Sequence, residues 1–453
     1  MRNLLVNQDR TTFVTLACLF ILFVAGGGGD AAPSLAGVVQ AVVAVMFAIW
    51  LMTLRADEVS PPLATYAVAA LVLALPLLQM MPLPPAVWHG MPGRELMRES
   101  LALVGAADDW RPLSLFPFET LAVLMTLVPA VIMLFLASSL RSSGRLLLLI
   151  LIVFVALLAL AVGAVQVSGA DGNVMRFYNA NSAILSGFQS NRSGQADIFL
   201  IAIVCVGAVT RELYPKEAIA SRRWRFLLLN ASAGLLFALA VVLTRSRFGM
   251  IMVPLALLLQ MAFLRSALNL SRRALVVGGG VLALCAFGGL ALIGNIPKIG
   301  LALSRFTTTV ELRPEIWKDT LYLTHKYAPW GSGMGTFEPV FQLDERLDWL
   351  GYRIINRAHC DFLELYLEGG IPAVVILALV VMIVAWAAVK GLRQTSGPGQ
   401  WQIWCALWSL CLIGAHSALD YPLRSMSVEA IFAVMVAIIL CGARPKKTRP
   451  ELE

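Results

Sequence analysis

The sequence predicts an all-α, polytopic membrane bundle of about 12 transmembrane helices, and three observations carry that prediction. Of 453 residues, 59% are hydrophobic and 14% charged, with mean hydropathy +0.80; an ordinary soluble domain is about 25% charged. The apolar residues gather into blocks near the roughly 20 residues needed to cross a bilayer. An open sheet cannot satisfy its backbone in lipid, so the blocks read as helices. This composition excludes a soluble enzyme, a secreted disulfide scaffold and a disordered chain.

Taken in order, the spans are expected near Thr12–Ala25, Leu35–Leu54, Leu63–Met81, Phe118–Ser138, Leu146–Val165 and Ala196–Thr210. The second half adds Phe226–Leu243, Phe248–Leu264, Ala274–Gly294, Phe362–Val389, Trp401–Leu419 and Val428–Cys441. The first and sixth blocks are short, and losing either would invert everything after it. The distribution of basic residues tests that parity. With a cytoplasmic N-terminus, more than half of the 35 Lys and Arg residues fall on the inner segments, at about three times the density of the outer ones, as the positive-inside rule requires. Both termini are therefore expected in the cytoplasm. The first block lacks a small-residue cleavage site and is expected to remain as a span.

The expected organisation is residues 1–294 for helices 1–9, 295–361 for a partly helical outer cap loop between helices 9 and 10, and 362–453 for helices 10–12 and a basic tail. Within the first unit, 82–117 is proline-rich and amphipathic and suits the interface. A structureless loop as long as 295–361 would be unusual, so a small folded cap with a functional role is expected there. No internal repeat of fixed period is visible, which argues against an inverted-repeat transporter.

The net charge of +8 reflects membrane anchoring, and no basic run interleaved with aromatics suggests nucleic acid. The seven cysteines, Cys18, Cys205, Cys285, Cys360, Cys405, Cys411 and Cys441, show no metal-binding spacing and mostly lie in apolar blocks. No metal and no cofactor are expected.

Chemistry is expected where ionisable groups are costly and still present. Asn191 and Arg192 open the sixth span; LTRSRFGM places Arg245 and Arg247 at a tight turn between apolar helices; LRPEIWKD supplies Arg313. NRAHCDFLELYLEGG supplies Arg357, His359, Asp361, Glu364 and Glu368, and HSALDYPLR supplies His416, Asp420 and Arg424. By the expected topology all lie at or near the outer face. Each also has a structural reading: arginines that snorkel or anchor at the interface, His359 as a polar group at a helix start, His416 bonded within the bundle. WGSGMGTF, Trp330–Phe337, follows no strand and lacks the phosphate-loop lysine, so it reads as a turn. The functional reading joins two needs. Arginine's fork of donors suits phosphate oxygens, and a histidine titrating near neutrality can take a proton from a hydroxyl. Together they describe transfer from a lipid diphosphate to an alcohol.

These segments resemble the O-antigen ligase and polymerase family. GFQSNRSGQAD at Gly187–Asp197 resembles the family's GFFANRNHFA, TRSRFGM its SRSRxG, and RPEIWKDTL its RxxxWxxTL. GSGMGTFEPVF, AHCDFLELYLEGGIPA and HSALDYPLR are similar to GxGxGTF, AHNDYLExLxExGxxG and HSxxDxPL. The motifs keep the family order and cover Gly187–Arg424, over half the chain. The resemblance implies a GT-C-like, metal-independent, inverting glycosyltransferase of the bacterial inner membrane. Its site would face the periplasm, taking a glycan from undecaprenyl diphosphate to lipid A-core, to a growing polysaccharide or, in some members, to a protein. By motif position His359 is the implied base, and Arg192, Arg245, Arg247 and Arg313 the implied diphosphate binders. Asn191, Arg357, Glu364, Glu368 and Asp420 are implied in support. Two positions depart from the pattern: Cys360 stands where the family has Asn, and the histidine of NRNHFA is absent from NRSGQA. Two rival activities remain, a polymerase using lipid-linked glycan as donor and acceptor, and a polysaccharide flippase or exporter, which has no need of a histidine base.

Overall fold

The computed structural model describes residues 9–28, 33–54, 59–168, 175–178, 184–274, 276–278, 280–281, 312–347 and 354–444. Apart from a two-residue antiparallel ladder joining Pro82–Leu83 to Arg111–Pro112, the regular structure of these residues is helical. The first spans are α1 (Arg10–Ala25), α2 (Pro33–Met52) and α3 (Leu63–Gln79). Short helices α4 (Pro85–Trp88) and α5 (Glu95–Leu103) precede α6 (Pro117–Ser138), α7 (Ser142–Ser168) and α8 (Arg192–Leu213). Then come α9 (Lys216–Ser221), α10 (Arg223–Leu243), α11 (Arg247–Leu268), α12 (Arg313–Tyr327) and α13 (Phe337–Leu343). The chain closes with α14 (Asp361–Gln394), α15 (Pro398–Ser417) and α16 (Met426–Gly442).

Six of these, α2, α6, α7, α10, α11 and α14, are long and apolar enough to cross a membrane, and α1, α3 and α16 are shorter apolar helices. The molecule is a multi-pass helical membrane protein. Eleven of the twelve expected spans coincide with helices; the remaining one, Ala274–Gly294, lies largely outside the described residues, as do parts of the expected cap loop.

Helices α8 and α16 are buried on nearly every side, which marks the centre of a bundle. α8 packs on α7, α10, α11 and α15, and α16 on α1, α6, α14 and α15. A helix enclosed by protein tolerates polar residues that a lipid-facing one does not, and this explains why α8 looked short in the sequence. It runs over 22 residues, but its first turn, Arg192–Gln195, is polar and gives no apolar signal. Conversely α14 is longer than a membrane requires, at 34 residues, and is interrupted at Gly370 (φ 59°, ψ −153°). Its first piece, with Glu364 and Glu368, belongs to the end of the bundle where the charged motifs collect.

That end is tied together by the glycine-rich turn. Gln79 at the end of α3 donates to the Glu368 carbonyl (2.9 Å) and accepts from the Met334 N–H (2.8 Å). A Cβ on Gly331, whose φ is +81°, would stand 2.5 Å from the Glu368 carbonyl oxygen. Only glycine lets the turn approach α14 so closely. WGSGMGTF is thus a structural clamp. At the opposite end Trp50 donates to Thr11 (2.9 Å), and Gln402 bonds Ser142 and Glu212.

Candidate functional site

Five separate stretches of chain converge on one polar cavity of about 120 Å³ lined by Asn191, Arg192, Arg245, Arg247, Arg313, His359, His416, Asp420 and Tyr421, among others. Asn191 caps α8, its side chain accepting from the Ser193 N–H (2.8 Å), and so sets Arg192 on the first turn at the cavity wall. Ser246 caps α11 by accepting from the Gly249 N–H (3.2 Å). A Cβ on Gly249 would meet Ala196 at 2.8 Å, so this glycine lets α11 lie close against α8 and brings Arg245 and Arg247 beside Arg192.

The residue before the histidine is held from both sides. Trp317 on α12 donates its indole N–H to the Ala358 carbonyl (2.9 Å), and the Ala358 N–H donates to Glu364 (3.0 Å). His359 follows with φ +53°, and its Nδ1 lies 3.1 Å from Oδ1 of Asp420. A carboxylate only accepts, so Nδ1 carries the proton and Nε2 is left as the basic atom. Asp420 also accepts from the Tyr421 N–H (3.1 Å) and faces Arg313 at 3.4 Å. Burial by itself would raise the Asp420 carboxyl. The hydrogen bond from His359, with His416 and the Arg313 guanidinium beside it, outweighs burial and holds the group well below the usual carboxylate range.

Of the four non-glycine residues at positive φ among the described residues, Arg245 (φ +58°) and His359 both line this cavity. Such conformations cost about 1–3 kcal/mol each and persist where the surroundings impose them. The Nη2 of Arg245 is buried without a hydrogen-bond partner. Burial lowers the pKa of this guanidinium. A cationic donor in that state is matched to an incoming anion.

The other residues singled out in the sequence form a second cluster. Glu364 accepts from Arg357 (2.9 Å) and Arg424 (2.8 Å), and Glu368 accepts from the Phe337 N–H (3.1 Å) and faces Arg424 at 3.4 Å. Ser417 donates to Asp361 (2.9 Å). Arg357, Asp361 and Arg424, with Glu119 and Glu429, are the charged residues lining an otherwise apolar groove of about 700 Å³ between α2, α3, α6, α14 and α16. The segment Asp420–Arg424 divides the two spaces: Asp420 and Tyr421 line the cavity, Leu423 and Arg424 the groove. Arg357, Glu364 and Glu368 therefore do not line the cavity, and Arg357 lines the groove instead. Among the described residues no group of three or more His, Cys, Asp or Glu side chains is arranged to hold a metal ion.

Both departures from the family pattern fall away from the cavity wall. A Cβ on Gly194 would face Val428 and Gln189 at 3.7 and 3.8 Å, neither of which lines the cavity. Cys360 sits at the N-cap of α14 and makes no side-chain cap bond. Sequence reasoning missed Asp197, buried on α8 and bonded to His416 (2.7 Å), and Trp317. The signal for Asp197 was present, an acid inside an apolar helix; its partner, 219 residues away, was not legible.

A search against curated proteins finds no match. Residues 232–378 match a protein-family model described as O-Antigen ligase. That stretch contains Arg245, Arg247, Arg313, Arg357, His359, Glu364 and Glu368, and ends before His416 and Asp420. The chain is a membrane protein with an O-antigen ligase domain over residues 232–378.

Proposed function

We propose that the protein transfers a glycan from undecaprenyl diphosphate to an acceptor hydroxyl at the periplasmic face of the bacterial inner membrane. The observation that carries this reading is the grouping of Arg192, Arg245, Arg247 and Arg313 around the His359–Asp420 pair in one cavity. Asp420 fixes the His359 tautomer, and Nε2 takes the proton of the acceptor hydroxyl as its oxygen attacks the anomeric carbon. The bond from that carbon to the diphosphate oxygen breaks on the opposite face, so the configuration inverts. The arginines hold the departing diphosphate and stabilise its charge, which is the larger part of the catalysis. This chemistry asks nothing of a metal. The apolar groove beyond Asp420–Arg424 is space for the tail of a lipid-linked substrate.

The acceptor separates a ligase from a polymerase. The test is purified protein in detergent and EDTA with undecaprenyl-diphosphate glycan, with and without lipid A-core, and products resolved by gel and mass spectrometry. Glycan-capped core identifies a ligase, and longer lipid-linked glycan without core a polymerase. No transfer to either acceptor would count against both ligase and polymerase and leave a protein acceptor, or a flippase or exporter, as the better reading.

A further inference from the structure

From the cavity wall into the bundle, four side chains stand in file, alternating carboxylate and imidazole: His359, Asp420 and His416 line the cavity and Asp197 lies behind them. Asp197 on α8 receives Nδ1 of His416 at 2.8 and 2.7 Å from its two oxygens, with both side chains 1% exposed. The opposite nitrogen of that ring, Nε2, lies 3.9 Å from Oδ2 of Asp420. The other oxygen of Asp420 meets His359 at 3.1 Å. Phe248 stacks on the His416 ring, centroids 4.1 Å apart and planes within 8°.

A carboxylate can only accept, so an imidazole flanked by two of them is fully matched when both nitrogens carry protons. An aromatic face against the ring favours a cation there. We propose that His416, held as an imidazolium between Asp197 and Asp420, is a positioning residue for His359. It engages one oxygen of Asp420 and shares its charge, so that His359 is oriented by Asp420 yet enters turnover neutral and able to accept a proton. This rests on the reading of His359 as the base.

The charged and titratable groups facing the pair are Asp197 from α8, Asp420 after α15, Arg313 from α12 across Asp420 (3.4 Å), and His359 before α14. Arg192, Arg245 and Arg247 line the same cavity. If His416 supplies a positive charge behind Asp420, its removal leaves more of the carboxylate charge to His359, whose pKa then rises. A nearby charge commonly moves a pKa by about one unit or more. A residue that only fills space would leave that titration where it is.

The experiment compares wild type, His416→Gln and the double variant Asp197→Asn/His416→Gln. The double variant leaves two neutral amides and no unpaired buried charge, and is the form to measure if the single variant does not accumulate. Two readouts are taken. The first is the pH profile of glycan transfer, whose acid limb should move up by about one pH unit, lowering kcat at neutral pH with KM little changed. The second needs no donor: the pH dependence of His359 carbethoxylation by diethyl pyrocarbonate, resolved by peptide mass spectrometry from His89, His325 and His416. Its midpoint should move in the same direction by a similar amount. An unchanged midpoint in a folded variant overturns the proposal. An inactive wild type would instead count against glycan transfer, and the carbethoxylation midpoint would still decide the role of His416.

Discussion

On one side of the Asp420–Arg424 segment, four arginines share a cavity with a single carboxylate among the described residues, Asp420. On the other, two arginines, Arg357 and Arg424, are enclosed by Asp361, Glu364, Glu368 and Glu429. The residue types are the same and the balance is opposite. Where carboxylates are in excess, each guanidinium is already matched and its task is to hold the glycine-rich turn, α14 and the Asp420–Arg424 segment together. On the cavity side one donor, Nη2 of Arg245, is buried without a hydrogen-bond partner, and it is the group that the proposed diphosphate would engage.

Breaking the comparison on its structural side should have the largest effect on the protein itself. Arg424→Met leaves buried carboxylates facing one another, and removing one partner of a buried pair costs about 3–5 kcal/mol. Thermal unfolding in detergent should show a large drop in stability, and a variant as stable as wild type would place Arg424 outside the framework. On the cavity side the order reverses: Arg245→Lys should keep the wild-type melting temperature and lose about 100-fold in turnover, since lysine lacks the planar fork and electrostatic donors of this kind contribute on that scale. Full turnover with lysine would mean that charge alone suffices there.

A smaller effect sharpens the role of Asp420. Its carboxyl lies below the ordinary range in the folded protein, so its contribution to stability is complete above the unfolded value of about 3.9 and is lost as pH falls toward the folded one. The stability gap between wild type and Asp420→Asn should be widest near neutral pH and narrow below about pH 4. A gap independent of pH would remove the electrostatic explanation. The smallest change expected is a gain. Cys360 occupies an N-cap without capping it, and Cys360→Asn should stabilise by about 0.5–1 kcal/mol with transfer retained.

The helices were legible because an apolar block of membrane length has one reading, and eleven of the twelve expected spans coincide with helices. The start of α8 was not, because its polar first turn is sheltered by neighbouring helices that the sequence does not show. The site was legible in its residue types. Arg192, Arg245, Arg247, Arg313, His359 and Asp420 were each conspicuous as charge in an apolar setting, and they meet. What the sequence hid was pairing. Glu364 and Glu368 look like candidates for the chemistry until Arg357, Arg424 and the Phe337 N–H are seen to occupy them. Asp197 and His416 look like unrelated polar residues until they are found in contact.

The measurement that bears most directly on the central claim is transfer by wild type and His359→Gln from undecaprenyl-diphosphate glycan, in EDTA, normalised to folded protein by thermal unfolding. The account predicts metal-independent transfer by wild type and a loss of about 1,000-fold in the variant, the scale of a removed general base, with unfolding unchanged. Comparable transfer by the two proteins would contradict it.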